Sequence, residues 1–259
     1  MLKELYTAAY GMLNQESRLE VTANNISNAN TTGFKRQNVF ERNLIDARAN
    51  FYNVKGDAEQ NDSPVGSYTD FSQGQMTQTT NPLDLALEND GFFVLSDEFG
   101  KQFLSRGGNF RLDQAGNIVT MDGKMLLGTN GPLNTNAAFF GASSEPEDKQ
   151  NLDLRVTLQG EVFANGFNIG NIQVAQVNET KTLERISAQN FIHTEDTEIS
   201  YLQPQQIAVR QGWLEKANVD VVSEMVEMIG LQRKFEAGAK VIETNESTLS
   251  NSIQLGRYY

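Results

Sequence analysis

From Val221 to Ile253 the chain places Val221, Met225, Met228, Gln232, Phe235, Ala239, Ile242, Glu246, Leu249 and Ile253 alternately four and three apart. That is a heptad seam, the mark of one stripe on a helix. At 1.5 Å per residue, about 33 residues make a helix roughly 50 Å long. Asp220 supplies an N-cap and Glu224 an acid for the first turn. Val222, Val226 and Ile229 widen the apolar face at the start, while Gln232 and Glu246 interrupt the seam. An ideal isolated coiled coil is therefore not expected, yet a helix this apolar cannot stand alone in water.

The other end of the chain carries a matching pattern. Leu2, Leu5, Ala9, Met12, Glu16, Leu19, Ala23 and Ile26 are again three and four apart. Tyr6, Tyr10 and Leu13 broaden this stripe to an arc of roughly 180°. The helix should fade near Asn24 and Asn25, because NNISNANTTG is rich in poor helix formers. Neither terminal helix can bury its face alone, so the two are expected to pack together. Arcs this wide imply more than one neighbour per helix.

Between them the punctuation changes. All five prolines lie between positions 60 and 205, and 16 of the 21 glycines lie between 51 and 215. GFFVL (91–95), QFLSR (102–106), NFRLD (109–113), NIVT (117–120) and KMLLG (124–128) are separated by glycine turns, as in a meander of hairpins. LDLRVTL (152–158) alternates, and Asn165-Gly166 is a type I′ hairpin signal. The expected fold is α+β: paired, coiled-coil-like N- and C-terminal helices with an inserted all-β domain. The expected division is 1–36 as part of a helical core, 37–80 as an extended arm, 81–211 as a β-rich outer domain, and 212–259 as the completing helix.

Charge and composition narrow the function. With 33 acidic against 21 basic groups the net charge is −12, which repels nucleic acid and anionic lipid. There is no cysteine and one histidine, so disulfides, thiolate metal sites and multi-histidine sites are excluded. No run is long and apolar enough to span a membrane, and the start lacks the h-region of a cleaved signal. His193 with Glu195 and Asp196 suggests an acid/base pair, but reads better as a surface-loop histidine. Asp84, Glu88 and Asp90 are the nearest cluster to a carboxylate pair. Asp113 to Asn117 resembles a calcium loop lacking its later acids, so a hairpin turn is expected. No cofactor or small-molecule substrate is expected.

Four ordered blocks then carry a resemblance. Ala23-Asn24-Asn25-Ile26-Ser27-Asn28-Ala29-Asn30-Thr31-Thr32-Gly33-Phe34-Lys35-Arg36 resembles the ANN…N-T-x-G-[FY]-K motif of bacterial flagellar rod and hook proteins. Leu83-Asp84-Leu85-Ala86-Leu87 with Gly91-Phe92-Phe93 is similar to the family's L-D-x-A…G-F-F segment. Arg106-Gly107-Gly108-Asn109-Phe110 resembles its R-x-G-x-F block. Gly212-Trp213-Leu214-Glu215, Asn218-Val219-Asp220 and Glu224-Met225-Val226-Glu227-Met228-Ile229 resemble its C-terminal signature, with Trp213 and Lys216-Ala217 where smaller residues are usual. The short interval between the first two blocks is nearer the proximal than the distal rod type.

The resemblance implies a non-enzymatic structural subunit of the basal-body rod, required for motility. It implies export without a cleaved signal through the flagellar type III apparatus, and helical polymerisation into a hollow, periplasm-spanning drive shaft. The implied partners are further copies, other rod and hook subunits, and the export apparatus. Leu5, Met12, Leu19, Ile26, Val221, Met225, Met228, Phe235, Ile242 and Leu249 are the expected assembly residues, and Asn24, Asn25, Asn30, Gly33, Phe34 and Lys35 the motif residues. Phe40 and Leu44 match the family's Phe-x-x-x-apolar export element, and would share a face if helical. A hook-like axial protein is the alternative, and a rod-associated cell-wall hydrolase a remote one.

Overall fold

A computed structural model describes residues 2–41, 65–136, 153–178, 180–193 and 198–256, without the side chains of 2–7, 41, 65, 181 and 249–256. The chain divides into two compact units. One comprises residues 1–27, 36–70 and 219–259, the other 28–35 and 71–218.

The first unit holds the two α-helices found among the described residues, α1 (Leu2–Ser27) and α2 (Val221–Gly256). Asp220 caps α2: its carboxylate accepts the Val222 N–H at 3.2 Å and the Ser223 hydroxyl at 2.6 Å. The Ser223 hydroxyl, with the Val222 N–H, holds the Asp220 carboxyl below its ordinary value. The helices run antiparallel, since Met12 meets Gly238 while Asn25 meets Glu224. The buried or half-buried positions of α2 are Val221, Glu224, Met228, Leu231, Phe235, Gly238, Ile242 and Asn245, with Gly230 beside them. This seam keeps the expected Val221, Met228, Phe235 and Ile242. At alternate steps it takes the preceding residue, Glu224, Leu231, Gly238 and Asn245, leaving Met225, Gln232, Ala239 and Glu246 exposed. In α1, Met12, Leu19 and Ile26 are half-buried beside Gln15, Thr22 and Asn25, while Ala9, Glu16 and Ala23 are exposed.

The same unit contains an antiparallel ribbon, Gln37–Glu41 with Val65–Thr69, in register from Gln37↔Thr69 to Glu41↔Val65. Phe40 thus stands in a strand, 42% exposed, its ring over Gly66 and 6.3 Å from the Tyr68 ring. Leu44 lies outside the described residues.

The second unit is built around a sheet of ten strands. Along its main path lie 183–185, 190–193, 102–105, 92–96, 125–128, 118–120 and 110–112. Phe92–Ser96 is buried at every position because it separates two cores. Phe93 and Leu95 point into a cluster with Phe110, Ile118, Leu126 and Val174, while Phe92 and Val94 join Leu104, Ala175 and Phe191 on the other face. Three strands (154–156, 161–164, 167–171) form a second sheet, the last two joined by a type I′ turn with φ 49° at Asn165 and 85° at Gly166. Two strand pairs complete it: 85–87 with 209–211, and 76–78 with 213–215.

This corrects the expected fold. Among the described residues the protein is strand-rich, with five sheets, and its β-structure is not one inserted all-β domain. A ribbon belongs to the helical unit, and strands 76–78 and 213–215 lie outside residues 81–211. The helix pair is not an apolar coiled coil, because Glu224, Thr22 and Asn25 are fully buried in it. These strands escape a periodicity reading for a physical reason. Residues 38–40 of the ribbon are not alternately buried, and its pairing is set by a partner more than 20 residues away.

Candidate functional site

The N-terminal motif is short of helix formers, so α1 ends at Ser27 and the chain turns through Asn28 and Thr31, whose N–H reaches the Asn28 carbonyl at 2.9 Å. Gly33 follows at φ 68°, packed so closely that a Cβ there would stand 2.4 Å from the Arg106 carbonyl carbon. Only glycine fits both requirements. The Gly33 N–H donates to the Glu215 carbonyl at 2.8 Å.

That approach delivers Lys35 into a buried ionic cluster in the second unit. Lys35 Nζ lies 2.7 Å from Glu215 Oε1, and Arg106 Nε lies 2.7 Å from Glu215 Oε2, with all three side chains at most 4% exposed. The Gly74 N–H donates to Glu215 Oε1 at 2.8 Å, and Lys35 donates to the Ser72 carbonyl at 2.7 Å. Arg106 also donates to the carbonyls of Asn89 and Gly91. Burial alone would raise the Glu215 carboxyl. Arg106 and Lys35 outweigh it and, with their hydrogen bonds, hold the group below its usual value.

Phe34, fully buried, is covered by Arg185, whose guanidinium lies 4.6 Å from the Phe34 ring centroid and 5.2 Å from that of Phe191. Arg185 donates to the Lys35 carbonyl, but its Nε and Nη1 are buried without a hydrogen-bond partner. Burial pushes this guanidinium down to about 10.

The next residue serves the first unit. Arg36 Nε lies 2.5 Å from Glu224 Oε1, and Arg36 Nη2 lies 3.5 Å from Glu227. Asn25 donates to Glu224 Oε2 at 3.1 Å and to the Gln37 carbonyl at 2.8 Å, and accepts the Gln37 N–H at 2.9 Å. One buried amide thus ties α1, α2 and the ribbon together. Of the motif residues, Asn25, Gly33, Phe34 and Lys35 are buried, and Asn24 and Asn30 are exposed. Arg106, Arg185, Glu215 and Glu224 were not singled out as site residues. The available signal was a charge set in an apolar or glycine-rich block, but their partners are 109 to 199 residues away.

A further feature is apolar. On α2, Val222, Met225, Val226 and Ile229 are 49–69% exposed, and on α1 Leu13 is 56% exposed. The side chains of Leu5 and Leu249 lie outside the description.

Asp84, Glu88 and Asp113, three of the acidic groups considered for chemistry, have structural occupations. Asp84 accepts from Thr79 at 2.7 Å and Asn81 at 2.9 Å, and Glu88 pairs with Arg210. Asp113 accepts both the Asn117 N–H and its side-chain amide, closing a hairpin turn. His193 ends a strand, exposed, with Glu195 and Asp196 outside the described residues. Among the described residues no group of three potential ligands could hold a metal, and no helix is long and apolar enough to cross a membrane.

Three family models match the chain: Flagella basal body rod protein over residues 5–35, Flagellar hook protein FlgE/F/G D1 domain over 86–164, and Flagellar basal body rod FlgEFG protein C-terminal over 210–255. The chain is 31% identical over 275 residues to the flagellar basal-body rod protein FlgG of Bacillus subtilis, covering 99% of this chain and 100% of that one. It is 32% identical over 270 residues to FlgG of Caulobacter vibrioides, covering 98% and 99%. It is 29% identical over 254 residues to the basal-body rod protein FlgF of the same organism, covering 96% and 95%.

Proposed function

The chain belongs to the flagellar basal-body rod proteins, structural subunits and not enzymes, and from that premise we propose how it enters the rod. It leaves the cell through the flagellar type III apparatus. It then joins further copies and other rod or hook subunits in a helical tube that crosses the periplasm. The carrying observation is the uncovered stripe Val222, Met225, Val226 and Ile229 on a helix whose other face already packs on α1. A soluble single chain gains nothing from four large apolar side chains standing in water on one helix face, whereas a polymer buries them in every subunit. The ionic clusters of Lys35, Arg106 and Glu215, and of Asn25, Arg36 and Glu224, hold the family motifs in shape.

Purified chain is expected to form fibres above a threshold concentration, visible by electron microscopy and pelleted on centrifugation. Protein that stays monomeric at any concentration, alone and with other rod subunits, overturns the assembly reading. Phe40 and Leu44 are proposed for export recognition, in the unfolded chain. Normal secretion of the Phe40→Ala, Leu44→Ala double variant removes them from that role.

A further inference from the structure

The sequence contains two Asn-Gly pairs, Asn130-Gly131 and Asn165-Gly166. This dipeptide is chemically special because glycine has no Cβ to obstruct closure of a five-membered ring between the asparagine side chain and the next backbone nitrogen. The structure treats the two pairs differently.

Asn165 is restrained on three counts. Its backbone is left-handed, with φ 49°. Its Oδ1 accepts the Asp153 N–H at 3.0 Å, and its own N–H donates to the Asp153 carbonyl at 2.9 Å. Bringing its Cγ onto the Gly166 nitrogen means swinging the carboxamide away from Asp153 and breaking that bond.

Asn130 has no such restraint. It is exposed at the turn between the strands Met125–Gly128 and Gly131–Pro132, and its side chain makes no hydrogen bond among the described residues. The turn is anchored one residue earlier, where Thr129 donates to the Asn171 carbonyl through its N–H at 2.9 Å and its hydroxyl at 3.3 Å. Gly131 pairs with Gly128 across the turn, and neither Gly131 nor Gly166 has a neighbour within 4 Å of an added Cβ, so the two pairs differ in the restraint on the asparagine rather than in room at the glycine.

We infer that Asn130 is a site of spontaneous deamidation in the folded protein, and that Asn165, with the same dipeptide, is protected. The Gly131 backbone nitrogen loses its proton to water or hydroxide and attacks Asn130 Cγ. A C–N bond forms, the Cγ–Nδ2 bond breaks, and ammonia leaves with a proton from solvent. Water then opens the resulting succinimide at either carbonyl, giving aspartate or isoaspartate. Each product adds one negative charge to a chain already at −12. Isoaspartate also lengthens the backbone by one methylene, directly before Pro132, which pairs with Leu127, and Leu133, whose N–H donates to Leu126 at 3.0 Å. The turn holding this edge of the second unit is thereby loosened.

Full-length protein incubated at mildly alkaline pH, then digested and mapped by mass spectrometry with isoaspartate labelling, tests this with Asn165 as internal control. In the native protein Asn130 should convert about tenfold faster than Asn165, the rate equivalent of a barrier about 1.4 kcal/mol lower. In strong denaturant the difference should vanish, because only the fold separates the two sites. Asn130→Gln should abolish the modification at this turn and leave Asn165 unchanged. Native Asn130 that stays intact, or native Asn165 that converts as fast, overturns the inference.

Discussion

Gly238 of α2 lies against Met12 of α1 so closely that a Cβ on Gly238 would stand 2.9 Å from the Met12 Cγ. With the Asn25–Glu224 hydrogen bond further along, this contact fixes the antiparallel register of the helix pair. A small residue admits a large one at one end, and a polar bond that a one-residue slip would break closes the other.

The first prediction sets helix propensity against crowding. Alanine in place of glycine within a helix stabilises by up to about 1 kcal/mol. Gly230 has nothing within 4 Å of an added Cβ, so Gly230→Ala should raise stability by roughly that amount. Gly238→Ala must displace Met12 and should lower it by about 1 kcal/mol, since overpacking outweighs propensity. In a Met12→Ala background the same Gly238→Ala change should turn stabilising. Urea unfolding followed by circular dichroism decides it, and equal effects at both glycines would refute the close contact.

The second concerns Glu215, whose carboxyl is held below its ordinary value of 4.5. A depressed folded-state value means that the ionised form stabilises the fold. That contribution is present above about pH 4.5 and is lost as pH falls through the folded value. Stability of the second unit should therefore fall on the acid side, and Glu215→Gln should flatten that fall while costing about 3–5 kcal/mol at neutral pH. Trp213, the single tryptophan, sits two residues away in the same strand and reports the transition. An unaltered acid limb in Glu215→Gln would assign it to other carboxylates.

What the residues revealed and withheld has a pattern. The cap at Asp220 and the turn at Asn165-Gly166 were legible, because each depends on neighbours within four positions. So were the segments 91–95 and 102–106, whose apolar runs Phe92–Leu95 and Phe103-Leu104 are buried. The helix seams were half legible. Reading apolar residues as interior selected Met225 over Glu224, yet Glu224 is the buried one because Arg36 and Asn25 neutralise and satisfy it. The pairing of Lys35 with Glu215 was not legible, since it spans 180 positions and nothing local encodes it. The ribbon at 37–41 was missed for the same reason.

The third prediction separates packing from charge at Arg185. Its guanidinium is stacked on Phe34 and Phe191 but leaves Nε and Nη1 buried and unbonded. Arg185→Met keeps an unbranched chain over the rings and removes the orphaned donors, so it should stay within about 1 kcal/mol of the parent. Arg185→Lys keeps a charge without the planar stack and should cost about 1–2 kcal/mol. Thermal melts at neutral pH rank the two, and a lysine variant more stable than the methionine variant reverses the argument.

The last prediction distinguishes the two faces of α2. Phe235 is half-buried on the side that packs against α1, and Met225 is 49% exposed on the other side. A carboxylate at Phe235 would enter an intramolecular contact, at a cost of about 2–3 kcal/mol before any assembly. Phe235→Glu should therefore lower helix content and melting temperature in the dilute protein. A carboxylate at Met225 would stay in water in the single chain, so Met225→Glu should leave the melt and the far-ultraviolet spectrum unchanged. If the Val222–Ile229 stripe is the assembly surface, that same carboxylate would lie in an apolar contact of the polymer, and the penalty would recur in every subunit. Met225→Glu should thus be secreted normally yet give no rods and no swimming, by secretion assay, electron microscopy of basal bodies and soft-agar motility. Intact rods built from Met225→Glu subunits would show that the Val222–Ile229 stripe is not an assembly surface. A helix-poor Met225→Glu monomer would show that this face is already committed within the chain.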